Sequence, residues 1–401
     1  MLDLYSVKSQ VDGMVAHRVA APRETEGRLA RALEQLQRWG GSGDGGGPWR
    51  DLADLVACSA KGWLLPRIIA PLTTTVGPVA APSRLSVAAT DGSQIFPDRH
   101  EISPCYLINI GHVLLHYGTG ERPLLATNPR LFYKDSDLFQ TYGDRRVAVS
   151  RDLVGIRRSL LEMIDLKLLA VASHDEGHQT VAMSDGSLIA WDLEGRPHGF
   201  RQAYLKEMLV CLDELRQRGI PLIGYISRPG SNEVINALRV GMCPTPARQC
   251  DCADRNAIDS YDGRSCTQIE GLSDALLMKR VLLNPGERSA VFASTSPILE
   301  EYGDHGVCFF YLNIGTEVVR IEIPRWVAED ESMLGLVHSG VWDQVGKGAG
   351  YPVGLTEAHE RAVVRGRDRE AFFRCLKQSL VRNGLEVSLS RKGKSKLQPR
   401  V

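Results

Sequence analysis

Two segments of this chain, LSVAATDGSQIF (85–96) and QTVAMSDGSLIAW (179–191), are apolar, β-prone runs that lead into the same tripeptide, Asp-Gly-Ser. This pairing constrains the fold more than any other feature of the sequence. Each run places a carboxylate, Asp91 or Asp185, where a strand leaves a sheet, beside a glycine that lets another backbone or a phosphate come close. One Asp-Gly alone is a turn. Two of them, both closing apolar strands, predict a shared acidic site.

The rest of the chain supplies the elements such a sheet needs. From Glu24 to Trp39, apolar residues recur at helical spacing (Leu29, Ala32, Leu33, Leu36). The glycine-rich stretch 40–48 follows as a loop, and a short helix is expected around 49–64. CYLINIGHVLLHYG (105–118) reads as one long strand, or two joined at Gly111, antiparallel to the first. Helices are predicted over 151–172, 201–218 and about 355–383, with further strands at 220–229, 289–295 and 307–324. The expectation is an α/β fold, a mixed β-sheet flanked by helices. It divides into an N-terminal helical region (1–84), a main domain (85–383) carrying a cysteine-bearing insertion (241–267), and a basic C-terminal tail (384–401). No Walker A sequence occurs and no strand runs into a dinucleotide-binding glycine turn, which disfavours P-loop ATPases and dinucleotide enzymes.

Hard divalent cations take oxygen ligands, and phosphodiester hydrolysis commonly uses two ions held by a few carboxylates. A third carboxylate is therefore sought between Asp91 and Asp185. The helix between them offers Glu162, with Asp165 as the fallback. The order strand-Asp, helix-Glu, strand-Asp is similar to that of RNase H-like nucleases, which complete the set with an Asp or His on a late helix. Here GYPVGLTEAHERAV (350–363) supplies Tyr351 and His359, and Thr356 or the preceding loop is expected to cap the helix start.

With these residues the chain resembles the NurA-domain nucleases, partners of HerA-type DNA translocases in archaea and bacteria. The resemblance rests on TDGSQIFPDRH (90–100), MSDGSLIAW (183–191), GYISRPGSNEVINALR (224–239) and GYPVGLTEAHERAV (350–363). It implies an RNase H-like fold and Mn²⁺- or Mg²⁺-dependent cleavage of DNA by 5′–3′ exonuclease and single-strand endonuclease action. It further implies a role in end processing and double-strand break repair, a homodimer, and docking on a HerA-like hexameric ATPase. Position by position, Asp91 and Asp185 match the family's metal-binding aspartates, and Tyr351 and His359 its C-terminal Tyr and His. Glu162 fills the helical acidic position. Asp91, Glu162, Asp185 and His359 are thus the expected metal ligands, and with Tyr351 the catalytic set. Two other readings stay open: a non-catalytic DNA-binding adaptor or regulatory subunit of a translocase, and a nuclease effector of an anti-phage system.

Four of the nine cysteines, Cys243, Cys250, Cys252 and Cys266, fall in the insertion; they are compatible with a structural Zn²⁺ or an iron–sulfur cluster, or with plain reduced thiols. The other five are expected in the core. Lys+Arg and Asp+Glu both number 48, a balance unusual for a nucleic-acid binder, but the charge is unevenly spread. Residues 361–401 hold twelve basic and three acidic residues, and Arg391, Lys392, Lys394 and Lys396 in the terminal run are candidate phosphate contacts. Neither a secretory signal nor a run of the ~18 apolar residues a membrane helix needs is evident, so cytoplasmic residence is the expectation.

Overall fold

The computed structural model describes residues 3–20, 22–41, 47–59, 62–96, 105–142, 145–243 and 265–385. Residues 42–46 of the glycine-rich loop, residues 97–100, Cys250 and Cys252, and the basic-tail residues Arg391, Lys392, Lys394 and Lys396 lie outside the described residues. Two compact units divide the chain.

One unit takes residues 79–225, 300–305 and those from 326 on. Its strands are β1 (Leu85–Ile95), β2 (Tyr106–Tyr117), β3 (Leu124–Phe132), β4 (Thr180–Asp185) and β5 (Leu222–Ile226), in the sheet order β5-β4-β1-β2-β3. β1, β2 and β3 form an antiparallel meander, whereas β4 and β5 run parallel to β1. This is the mixed sheet that the sequence leads one to expect. β1 is buried on both faces from Leu85 to Thr90, which accounts for its unbroken apolar run. β3 is an exposed edge and tolerates Pro129 for that reason.

The principal helices are α1 (Arg151–Asp175), α2 (His198–Gln217), α3 (Glu331–Lys347), α4 (Val353–Ala362) and α5 (Gly366–Arg382). Ser150 caps α1, accepting from the Leu153 amide at 3.3 Å. Alternation along β1 sends successive side chains to opposite faces. On one face Thr90 donates its hydroxyl hydrogen to the Glu162 carbonyl of α1 at 3.0 Å. On the other, Ser93 donates to the Ala362 carbonyl of α4. Asn109 of β2 donates to the same carbonyl at 2.8 Å, and a Cβ at Gly111 would lie 2.3 Å from the Ala358 carbonyl oxygen. α4 therefore rests directly on the backbone of the sheet.

Three expectations are corrected. Asp91-Gly92-Ser93 does not end its strand: β1 continues to Ile95, paired with β2 as far as Leu107. The late helix is two, α4 and α5, separated at residues 363–365. Thr356 is not a cap; Pro352 precedes the first turn, and Thr356 sits inside the helix, donating to the Pro352 carbonyl at 3.3 Å.

The other unit takes residues 1–78, 226–299 and 306–325. Its strands Pro66–Ile68, Phe292–Ser294, Val307–Asn313 and Val318–Pro324 pair antiparallel in that order. Helices Pro22–Gly40, Pro48–Ala57 and Glu233–Gly241 share a core of Leu36, Leu52, Leu238, Phe292 and Phe309. Arg320, fully buried there, pairs with Glu233 at 2.5 Å and Glu322 at 2.9 Å and lies over the Phe309 ring. Cys105, Cys211 and Cys308 are buried as expected, but Cys58 and Cys375 are exposed. Among the described residues no helix is long and apolar enough to cross a membrane.

Substituting Gly111 with Ala drives a methyl into the α4 backbone and is expected to cost about 1–3 kcal/mol, as overpacking does. Urea unfolding of the variant against the parent measures it; an unchanged midpoint contradicts the direct contact.

Candidate metal-dependent active site

The parallel pairing of β1 with β4 runs from Ser86 opposite Thr180 to Thr90 opposite Ser184 and stops there. Gly186, at φ +104°, then takes the chain away from the sheet, and its amide bonds to the Tyr225 carbonyl at 2.8 Å. The next residue on each strand is an aspartate, Asp91 or Asp185, so both stand where the parallel ladder stops. Asp185 ends its strand while β1 runs on beside β2, which opens a crevice of the kind open α/β sheets use for ligands.

Glu162 reaches the same place from α1 because residue 92 has no side chain. A Cβ there would lie 2.3 Å from Glu162 Oε1 and 2.8 Å from Arg158 Cγ. Glu162 is only 17% exposed, and Oε1 lacks a well-directed hydrogen-bond donor. Its charge partner is Arg158 Nε at 3.1 Å, one turn earlier on α1. Arg158 Nη1 is engaged by the Gly92 carbonyl and Gln94. Burial pushes the Glu162 carboxyl up to about 7, with Arg158 opposing and Asp91 and Asp185 adding to the rise. Asp185 is also raised, first by burial, against a hydrogen bond donated by the Tyr351 hydroxyl.

Tyr351 and His359 approach from the α4 side. His359 Nδ1 lies 2.8 Å from Asp91 Oδ2, with the ring 62% exposed. Tyr351 packs edge-on against Tyr225 and spends its hydroxyl on Asp185. The five expected residues thus converge. Asp165 does not join them: it is buried among His112 (2.7 Å), Arg130 (2.5 Å) and Asn128 (3.2 Å) of β2 and β3. Burial alone would raise its carboxyl, but these partners hold it below the usual range. Asp91, Glu162, Asp185 and His359 do not bring three ligand atoms all within 4.8 Å of one another, so the group is open.

The three carboxylates line a cavity of about 370 Å³ whose walls include Arg158, Met163, Leu188, Trp191, Tyr204 and Met208. Arg158 and Trp191 were not among the expected site residues. Arg158 has a legible signal, its position four residues before Glu162 on one helix face. Trp191 has none, since the segment after Asp185 reads as continuing strand and instead turns out, with Ser187 accepting from the Trp191 indole at 3.1 Å.

Residues 85–364, which include all five converging side chains, match the family model for the NurA domain. The chain belongs to the NurA family. It is similar in structure to the NurA nuclease from Sulfolobus solfataricus, with 13% identity, 96% of this chain and 98% of that one covered, and a TM-score of 0.48. A NurA structure bound to dAMP and manganese gives 14%, 79%, 92% and 0.38, and a further NurA structure 15%, 75%, 90% and 0.36. No curated protein matches the chain.

Within this NurA domain the raised Glu162 carboxyl has a consequence for stability. The folded state holds a proton that the unfolded state releases, so metal-free protein loses stability as pH rises from about 4.5 to about 7. Glu162→Gln removes that slope and is expected to stabilise the protein at pH 8 by up to roughly 3 kcal/mol. Thermal melts in EDTA at pH 4.5 and pH 8 read the effect, and equal melting of variant and parent at pH 8 contradicts it.

Proposed function

We propose that the chain is a divalent-cation-dependent deoxyribonuclease. The observation that carries this reading is the meeting of three carboxylates from three elements, Asp91, Glu162 and Asp185, in one crevice where the buried Glu162 Oε1 has an ion-pair partner in Arg158 but no well-directed hydrogen bond. Such an oxygen costs about 1–3 kcal/mol when left unsatisfied, and a cation is what this donor set fits. The oxygens suit Mn²⁺ or Mg²⁺, which Asp91, Glu162 and Asp185 would hold, while His359, its Nδ1 turned to Asp91, stands at the open side as a proton carrier rather than a ligand. When bound, the ion polarises a phosphodiester oxygen and lowers the pKa of an attacking water.

The chain's own residues do the remaining work. Asp91 fixes the His359 ring through Nδ1, leaving Nε2 to exchange a proton with a substrate or leaving oxygen. Tyr351 holds the Asp185 carboxylate in place. Arg158 offsets part of the acidic charge. Trp191, partly exposed on the cavity wall, offers a face on which a base stacks. Family membership supports DNA as the polymer, and the resemblance extends the reading to 5′–3′ exonuclease and single-strand endonuclease action in end processing and double-strand break repair. On the same ground a homodimer docked on a HerA-like hexameric ATPase is the proposed assembly.

Labelled single- and double-stranded DNA incubated with Mn²⁺, Mg²⁺ or EDTA tests this. Cleavage is expected with Mn²⁺ or Mg²⁺ and is expected to fall to the EDTA background in Asp91→Asn and Asp185→Asn. His359→Ala should slow it by about 100-fold or more. Trp191→Ala should weaken single-strand binding by about tenfold, in keeping with the ~1–3 kcal/mol of a stacked base. Parent-like cleavage by Asp91→Asn sinks the assignment; salt-sensitive DNA binding with no cleavage under any metal favours the adaptor instead.

A further inference from the structure

At the other end of the same sheet, β1 begins between two neighbours. Ser86 pairs with His116 of β2 on one side and with Thr180 of β4 on the other. Two residues before Thr180, in the connection from α1, stands His178; its amide bonds to the Ser173 carbonyl at 3.2 Å, and its own carbonyl accepts from the Thr180 hydroxyl at 3.1 Å. The turn after β2 brings in Glu121. The His116 and His178 rings lie 4.9 Å apart. His178 Nε2 is 3.1 Å from Glu121 Oε1, and His116 Nε2 is 3.9 Å from Glu121 Oε2. Among the described residues this is the only trio of His, Cys, Asp or Glu ligand atoms that all lie within 4.8 Å of one another.

We propose that His116, His178 and Glu121 form a second metal site, one for Zn²⁺, separate from the acidic crevice. Two imidazole nitrogens and one carboxylate oxygen are a donor set for zinc with one position left to water. Zinc–ligand bonds of about 2.0–2.1 Å put tetrahedral ligand atoms about 3.3–3.4 Å apart. One ligand atom from each of the three residues already lies within 4.8 Å of the others. The two imidazoles sit 3.1 and 3.9 Å from different oxygens of the Glu121 carboxylate, so a small closure of that side chain brings one oxygen to both. The imidazoles are built in: the side chains of His116 and His178 are 5% and 10% exposed. His116 is also oriented as a ligand is. Its Nδ1 lies 2.8 Å from the hydroxyl of fully buried Ser86, which sets the ring and directs Nε2 to the shared point. Glu121, half exposed in its turn, is the residue that closes over the ion.

The two centres differ in chemistry and place. The acidic crevice presents mainly oxygens suited to a hard cation, whereas this site is imidazole-rich and suits a late first-row ion. Ser86 precedes Asp91 by five residues on one strand, which sets the centres roughly 17 Å apart along it. Zinc here would tie the turn after β2 to the connection before β4 and so hold the N-terminal end of the parallel ladder.

The test uses full-length, untagged protein carrying Asp91→Asn and Glu162→Gln, purified with zinc, dialysed against metal-free buffer and assayed by elemental analysis. One equivalent of zinc is expected, lost in His116→Ala and His178→Ala. Glu121→Gln, altering a half-exposed side chain in a turn, keeps the test decisive if the histidine variants fail to fold; it is expected to bind zinc at least about tenfold more weakly. Co²⁺ added to the metal-free protein should give the visible bands of a tetrahedral nitrogen and oxygen site. Zinc that persists in Glu121→Gln and His178→Ala, a strong thiolate charge-transfer band pointing to the cysteine segment, or no bound metal at all overturns the proposal.

Discussion

One strand carries two ladders of unequal length. β1 is paired with β2 from Leu85 to Ile95 but with β4 only as far as Thr90. Beyond that point it has a neighbour on one side and a gap on the other. Asp91 is the first residue beside the gap, Asp185 ends the strand that opened it, and Glu162 enters across the bare backbone of Gly92. A longer β4 would fill the crevice with ladder hydrogen bonds; a side chain at residue 92 would keep Glu162 out. The acidic group is thus a product of backbone geometry first and of residue type second.

Electrostatics then works against the fold. Burial and two nearby aspartates make the charged form of Glu162 unfavourable, and Arg158 offsets only part of this. Asp185 is under similar pressure, relieved in part by Tyr351. Asp165, a single turn along the same helix, shows the contrast: a buried carboxylate with three donors that favour its charge. The two acids differ in whether the protein itself supplies their counter-charge, and that difference separates a structural carboxylate from one suited to an added cation.

Much of this was legible in the sequence. The two Asp-Gly-Ser runs marked the acids, β1 and β2 of the meander were readable from β-branched and apolar content, and the order Asp, Glu, Asp pointed to Glu162. What escaped reading escaped for physical reasons. α3 contains Gly335, Gly340 and Gly346, poor helix formers that packing overrides. β3 carries Asn128 and Pro129, which only an edge strand admits. The choice between Glu162 and Asp165 depended on what lies beneath α1, namely Gly92 under one residue and His112 under the other. No spacing rule encodes that; it emerges from the register between β1 and β2.

The end of α4 is held in an unusual way. Its last carbonyls, those of Arg361 and Ala362, are taken by Asn109, and that of Ala362 also by Ser93, side chains of the sheet rather than residues of the chain that follows. His359 is therefore anchored to the strand that bears Asp91, and the break at 363–365 separates it from the basic helix α5. The His359 imidazole and the Asp91 carboxylate it meets thus belong to one packed piece of the sheet, with the break at 363–365 between them and α5.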